Sequence, residues 1–213
     1  MSESTQHKKS KQLISIVIIV FVVAAIYAAK TVFYSSKRVV QNADLARVKG
    51  DENAPVKIKE FIDFQCPACA NGAKYLKKFM QEHPHDIRLE LKYFPLAMHQ
   101  HGFTSARYAE CAAWQGKFWP FHDYLIEKQD EWKNLIDARP AFSFIAKETK
   151  LNLTELETCL QNEKVNAAIE KTKVEGQLLS VKSTPTYFVN GKMVVGTKSL
   201  EMELDSLINN AKN

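Results

Sequence analysis

The sequence of 213 residues has no internal repeat, no low-complexity tract and no long heptad pattern. Nothing in it reads as a repeat array or an extended coiled coil, and a monomer is the expectation. Cysteine is scarce: four residues, at 66, 69, 111 and 159, with a single C-x-x-C. A structural zinc site needs four ligands, usually two such pairs or one pair with two closely spaced histidines. His83 and His85, and His99 and His101, lie two apart, which is not the spacing of a zinc-binding helix, and they read as surface residues. No metal and no organic cofactor is expected. A strong excess of one charge is also missing. Lysine and arginine number 29 against 24 acidic residues, for a net charge of +5. Lys8, Lys9 and Lys11 account for much of that excess, so no basic stripe marks a nucleic-acid partner. Lys74, Lys77 and Lys78 read as a solvated helix face.

One run lacks charge altogether. "LISIVIIVFVVAAIYAA", Leu13 to Ala29, spans roughly 25 Å as a helix, near the lower limit for crossing a bilayer. Lys30 can snorkel, and Thr31 to Tyr34 can extend the span. The expected organisation is a tail over 1–12, an uncleaved transmembrane signal-anchor over 13–34 and a linker over 35–50. A cleaved signal peptide is the rival reading. Lys30, Lys37, Arg38, Arg47 and Lys49 follow the span, so charge bias does not decide its orientation.

A folded domain is expected over 51–213. "VKIKEFIDF" alternates with period two and crowds both faces with apolar residues, the pattern of a buried strand. Pro67 suits the first turn of a following helix, and Ala70, Ala73, Leu76, Phe79 and Met80 share a helical face. A second strand starts at Ile87. From about 99 to 181 the pattern is helical, with breaks expected at Gly116 and Pro120 and a capping box at Thr154 and Glu157. "TYFVNGKMVV" reads as a hairpin about Asn190-Gly191. A last helix starts at Ser199 as N-cap, with Leu200, Leu204, Leu207 and Ile208 on one face. The order β, α, β, helical block, β, β, α describes an α/β domain with an insertion.

The C-x-x-C pair lies at a strand-to-helix junction. There Cys66 feels the unpaired N–H groups and partial positive charge of a helix N-terminus, which stabilise a thiolate. Cys69, one turn into the helix, is the more buried and can reach back to Cys66. Exchange chemistry uses such an asymmetry: one thiolate attacks or is attacked, and a shielded thiol resolves the mixed disulfide. Metal binding and an inert structural pair are the alternatives. Cys111 and Cys159 fall on the inward faces of two helices. They are either unpaired core thiols or, in an oxidising compartment, a disulfide joining the two helices.

Three stretches carry a family resemblance. "GDENAPVKIKEFIDFQCPACA" resembles the entry into bacterial DsbA-like thiol:disulfide oxidoreductases of the thioredoxin superfamily. "ARYAECAAWQGKFWPFHDYLI" resembles the start of that family's inserted helical domain, and "STPTYFVNG" its cis-proline segment. The resemblance implies a thioredoxin fold with a helical insertion at about 99–181. It implies catalytic Cys66 and Cys69, a cis Pro185, and Thr184 before it pairing its backbone with an extended substrate. Glu60 matches a buried acidic position of the family. It reads either as a partly exposed strand residue or as a proton acceptor near the Cys69 thiol.

The implied function is a membrane-tethered thiol:disulfide interchange protein that gives disulfides to exported polypeptides. Its catalytic domain would face the periplasm or cell exterior from the cytoplasmic membrane, and a membrane quinone-linked oxidase would restore the pair. A reductase or isomerase of the same fold, or a non-catalytic tethered module binding extended polypeptide, are the alternatives. Ala68 stands where the best-known oxidases carry a histidine, and a centre less oxidising than the strongest members is expected.

Overall fold

The computed structural model describes residues 16–31 and 43–211. The chain divides into two units, Met1–Gln41 and Asn42–Asn213. In the first, residues 16–31 form helix α1, with every side chain exposed. Sixteen residues rise roughly 24 Å, short of a hydrocarbon core of about 30 Å. Among the described residues no helix is long and apolar enough to cross a membrane. The expected anchor over 13–34 runs past the described residues at both ends, and the 1–12 tail lies outside them.

The second unit begins earlier than expected. A helical turn over 43–46 leads into β1 (Val48–Gly50), which pairs antiparallel with β3 (Ile87–Tyr93). The expected linker over 35–50 is therefore corrected: its last eight residues belong to the fold. The reason is Arg47, buried to 2 % exposure and ion-paired to Asp44 and Glu110. Its guanidinium also lies 5.1 Å from the centre of the Tyr93 ring. A buried, ion-paired arginine is uncommon, so this polar segment looks like linker in sequence.

Strand β2 (Val56–Ile62) runs parallel to β3 and antiparallel to β4 (Thr186–Val189), which pairs with β5 (Lys192–Val195). The sheet order is β1-β3-β2-β4-β5. Asn190 and Gly191 take positive φ (48° and 88°), the backbone that a two-residue hairpin requires. Helix α2 (Pro67–Glu82) follows β2 and buries Cys69, Ala73, Leu76 and Phe79. With Leu200, Leu204 and Ile208 of the last helix it covers the sheet face that carries Ile58 and Leu89.

The insertion comprises α3 (Gly102–Trp114), α4 (Phe118–Glu127), α5 (Gln129–Trp132), α6 (Arg139–Glu148) and α7 (Leu153–Leu160); α8 (Glu163–Leu178) returns the chain to the sheet, and α9 (Thr197–Ala211) closes it. Cys111 and Cys159 form a disulfide that ties α3 to α7. Three local expectations need correction. The break at Pro120 is absent, because Pro120 sits in the first turn of α4, where a missing N–H costs no helical bond. Asn152, not Thr154, caps α7: its side chain accepts from the amides of Thr154 and Glu155. Helix α9 starts at Thr197, two residues before the expected cap Ser199.

Candidate active site

Cys66 is the N-cap of α2, in extended conformation (φ −73°, ψ 120°), with Pro67 opening the helix. Its carbonyl accepts from the amides of Cys69 (3.1 Å) and Ala70 (3.2 Å). Both thiols are free; Cys66 is 7 % exposed and Cys69 fully buried. Their acidities diverge. The Cys66 thiol is held down at about 5, first by the hydrogen bond from Cys69 to its sulfur; burial opposes, and the Cys69 amide, Thr184 and the Ala68 amide add to the lowering. The Cys69 thiol is pushed up, mainly by burial, then by that same hydrogen bond and the charge on Cys66. The N-terminal amides and the neighbouring thiol stabilise the thiolate where Ala68 offers no side chain to do so.

The Thr184–Pro185 peptide is cis, and Sγ of Cys66 donates to the Thr184 carbonyl oxygen at 3.5 Å. Strand β4 starts at the next residue, so the segment before it lies beside the sulfur.

Glu60, from the middle of β2, is 1 % exposed; it is not the partly exposed strand residue that one reading allowed. Its carboxyl is raised to about 7 by burial, with Lys49 and the Tyr187 hydroxyl working against the rise. Tyr187 was not singled out from the sequence, where it reads as a core aromatic on a strand.

Other residues that sequence reasoning missed hold the junction itself. The Asp63 carbonyl accepts the Cys66 amide at 3.0 Å. Its carboxylate accepts from the amides of Gln65 (2.8 Å) and Leu96 (2.7 Å) and pairs with His99 Nδ1 at 2.8 Å. Gln129 of α5 donates to the carbonyls of Phe64 (2.7 Å) and Cys66 (3.0 Å). Gln65 donates to the Lys133 carbonyl and accepts from the His101 amide. His101 is buried, with Nε2 2.7 Å from the Leu135 carbonyl oxygen. His99 and His101 are thus structural, not the surface residues expected, because one ring nitrogen of each meets a partner that only the tertiary fold supplies. Among the described residues no three His, Cys, Asp or Glu side chains gather as metal ligands.

The family profile described as Thioredoxin matches residues 42–210. The Na(+)/H(+) antiporter NhaA 3 of Salinispora tropica is 32 % identical over 160 residues, 74 % of this chain and 24 % of the antiporter. The chain spans about a quarter of the length of the curated relatives it matches, so that likeness concerns one part of them. Oxidised BdbD from Bacillus subtilis superposes with a TM-score of 0.67 at 24 % identity, over 78 % of this chain and 93 % of its own. The thiol-disulfide exchange protein alpha-DsbA2 from Wolbachia pipientis gives 0.64 at 17 % identity, over 84 % and 98 %. These two likenesses establish a thioredoxin fold with DsbA-like structural neighbours.

Proposed function

The chain belongs to the thioredoxin family, and from that premise we propose that it is a membrane-tethered thiol:disulfide oxidoreductase that gives disulfides to exported polypeptides through Cys66 and Cys69. The observation that carries this reading is two free thiols one helical turn apart at the N-terminus of α2, with Cys66 Sγ 3.5 Å from the carbonyl before the cis Pro185; the opposite displacement of the two acidities, Cys66 downward and Cys69 upward, agrees with it. A stabilised Cys66 thiolate is a good leaving group and favours the reduced state of the pair. Both push the disulfide toward the substrate. The description of the Wolbachia relative as a thiol-disulfide exchange protein supports the same chemistry.

In the proposed cycle a substrate thiolate attacks Sγ of Cys66 in the oxidised pair. The Cys66–Cys69 bond breaks, and its electron pair leaves on Cys69, which takes a proton from Glu60. A second substrate thiolate attacks the substrate sulfur of the mixed disulfide and expels Cys66 as its thiolate. Thr184 and Pro185 offer the backbone edge on which the extended substrate lies. A membrane quinone-linked oxidase would withdraw the two electrons again. The charge-free run from Leu13 to Ala29 supports a membrane tether, and the disulfide-donating chemistry requires the domain on the oxidising, periplasmic side.

Oxidation of a reduced dithiol peptide by the full chain tests the reading. Wild type is expected to transfer its disulfide and Cys66→Ser to transfer none; equal rates overturn it. The redox state trapped in cells separates the directions, oxidised for a donor and reduced for a reductase or isomerase. Recovery in the carbonate-insoluble membrane fraction tests the tether.

A further inference from the structure

Glu60 and Tyr187 are register partners on β2 and β4, so their side chains leave the same face of the sheet, beneath α2. Both are buried, and neither Glu60 Oε1 nor the Tyr187 hydroxyl makes a hydrogen bond of ordinary geometry. The hydroxyl feels both Glu60 and Thr197, yet a carboxyl and a hydroxyl that face each other in a core without a well-formed hydrogen bond are unusual. The helix above makes room for one of them. A Cβ on Gly72 would lie 2.1 Å from the Tyr187 hydroxyl. Gly72 stands one turn beyond Cys69 on the buried face of α2, an interior helical position where glycine is a poor choice. Phenylalanine at 187 with alanine at 72 would fill the same space and bury no hydroxyl there. The fold instead gives up both advantages and keeps a hydroxyl between Glu60 and the helix that carries Cys69.

We propose that Tyr187 is a positioning residue for the exchange reaction, turning its hydroxyl hydrogen onto the Glu60 carboxylate once Glu60 has given its proton to Cys69. The inference rests on the oxidoreductase reading and deepens it. Breakage of the Cys66–Cys69 bond leaves an electron pair on Cys69 Sγ; the Glu60 proton moves to that sulfur, and the negative charge passes to Glu60. That charge then sits in a dry interior, where a carboxylate is costly unless a donor meets it. Lys49 from β1 and Tyr187 from β4 face Glu60, and Tyr187 in turn feels Cys69 of α2 and the Thr197 hydroxyl of α9. Lys49 is shared: its ammonium lies 4.0 Å from the centre of the Trp119 ring and also feels Asp123 and Lys77. The tyrosine hydroxyl is thus the uncharged donor assigned to this carboxylate, and its rotation costs no rearrangement of the backbone.

The test is the protonation of Glu60 in the full chain with its pair reduced, followed by the infrared carboxyl band across pH and assigned by its loss in Glu60→Gln. Tyr187→Phe is expected to move the midpoint upward by roughly one unit, since a donor to the charged form has gone. The descending limb of the single-turnover pH–rate profile should move with it. The ultraviolet thiolate titration of Cys66 should stay in place. Loss of packing alone would lower the melting temperature and every rate without moving that midpoint. Gly72→Ala is expected to destabilise the chain and Gly72→Ala with Tyr187→Phe to restore it, because the hydroxyl is what the new methyl meets. An unmoved Glu60 midpoint in Tyr187→Phe overturns the inference, as does a Gly72→Ala defect that Tyr187→Phe leaves unrelieved. A wild-type chain without exchange activity removes the oxidoreductase reading, and this role with it. Active wild type with an unmoved midpoint removes this role alone.

Discussion

Sγ of Cys66 lies 3.5 Å from the carbonyl oxygen of Thr184, a contact made across 118 residues of sequence. It joins the two parts of the fold that the helical insertion separates. The helix N-terminus brings a nucleophile, and the start of β4 brings a backbone edge. Under the proposed function, a cysteine-containing peptide lying along residues 184–185 would bring its sulfur within reach of Cys66. That geometry places the sulfur pair and the strand edge side by side.

Cys66 is expected to titrate near 5 in the reduced chain. The thiolate absorbance should rise through that pH and vanish in Cys66→Ser. Because the folded value lies below the unfolded one of about 8.5, thiolate stabilisation is fully present above that value and is lost as pH falls toward 5. The stability of the reduced chain relative to the oxidised chain should therefore grow between those limits. Denaturant melts of both forms at pH 4.5, 6.5 and 8.5 check the sign, and a gap that narrows with rising pH contradicts it.

Glu60 shows the reverse sign. Its carboxyl is raised to about 7, above the unfolded value, so the protonated form is the one the fold prefers. Stability is then greatest below the unfolded value of about 4.3 and falls as pH rises through the folded one, by roughly 3 kcal/mol in all. Glu60→Gln should remove this loss and melt later than wild type at pH 8. It should also slow disulfide transfer, because Cys69 loses its proton source. Greater stability with lower activity is the expected pair of results, and a less stable Glu60→Gln at pH 8 would falsify the assignment.

Much of this was legible before any coordinates. β2 shows its alternation, α2 its spacing, and the Asn190-Gly191 turn its hairpin, because local pattern sets each of them. The candidate site residues in these elements, Cys66, Cys69 and Glu60, are legible with them. What stayed hidden depends on distant partners. β1 is three residues long and owes its place to Arg47 meeting Glu110, 63 positions away. Asp63, Gln65 and Gln129 hold the cysteine loop through main-chain hydrogen bonds, which leave no periodic signature. Tyr187 resembles any apolar strand residue until Glu60 is found in register with it.

The Cys111–Cys159 disulfide closes a loop with a sequence separation of 48. Loop-closure entropy for that length amounts to about 4 kcal/mol. The double variant Cys111→Ala, Cys159→Ala should lose stability of that order in denaturant melts. Its Cys66 titration should be unchanged, since none of the groups that set the Cys66 acidity lies on α3 or α7. A shifted titration would mean that the insertion reaches the redox pair by a route not visible in these contacts.

Glu110 is the remaining test, because it holds the start of the fold in place. Its carboxylate receives Arg47, the Tyr93 hydroxyl (3.1 Å) and the Trp114 indole (3.2 Å), all within the core. Replacing it with alanine strands a buried guanidinium that Asp44 alone must then balance. Breaking a buried pair from one side costs about 3–5 kcal/mol. Replacing both members with apolar residues of similar volume, Arg47→Met with Glu110→Leu, should cost far less, because no charge is left unpaired. Hydrogen exchange locates the damage: in Glu110→Ala the amides of β1 should lose protection first, along with Leu91, whose amide donates to the Arg47 carbonyl at 3.0 Å. If Glu110→Ala melts like wild type, Arg47 does not anchor β1, and residues 43–50 revert to the linker their composition suggests.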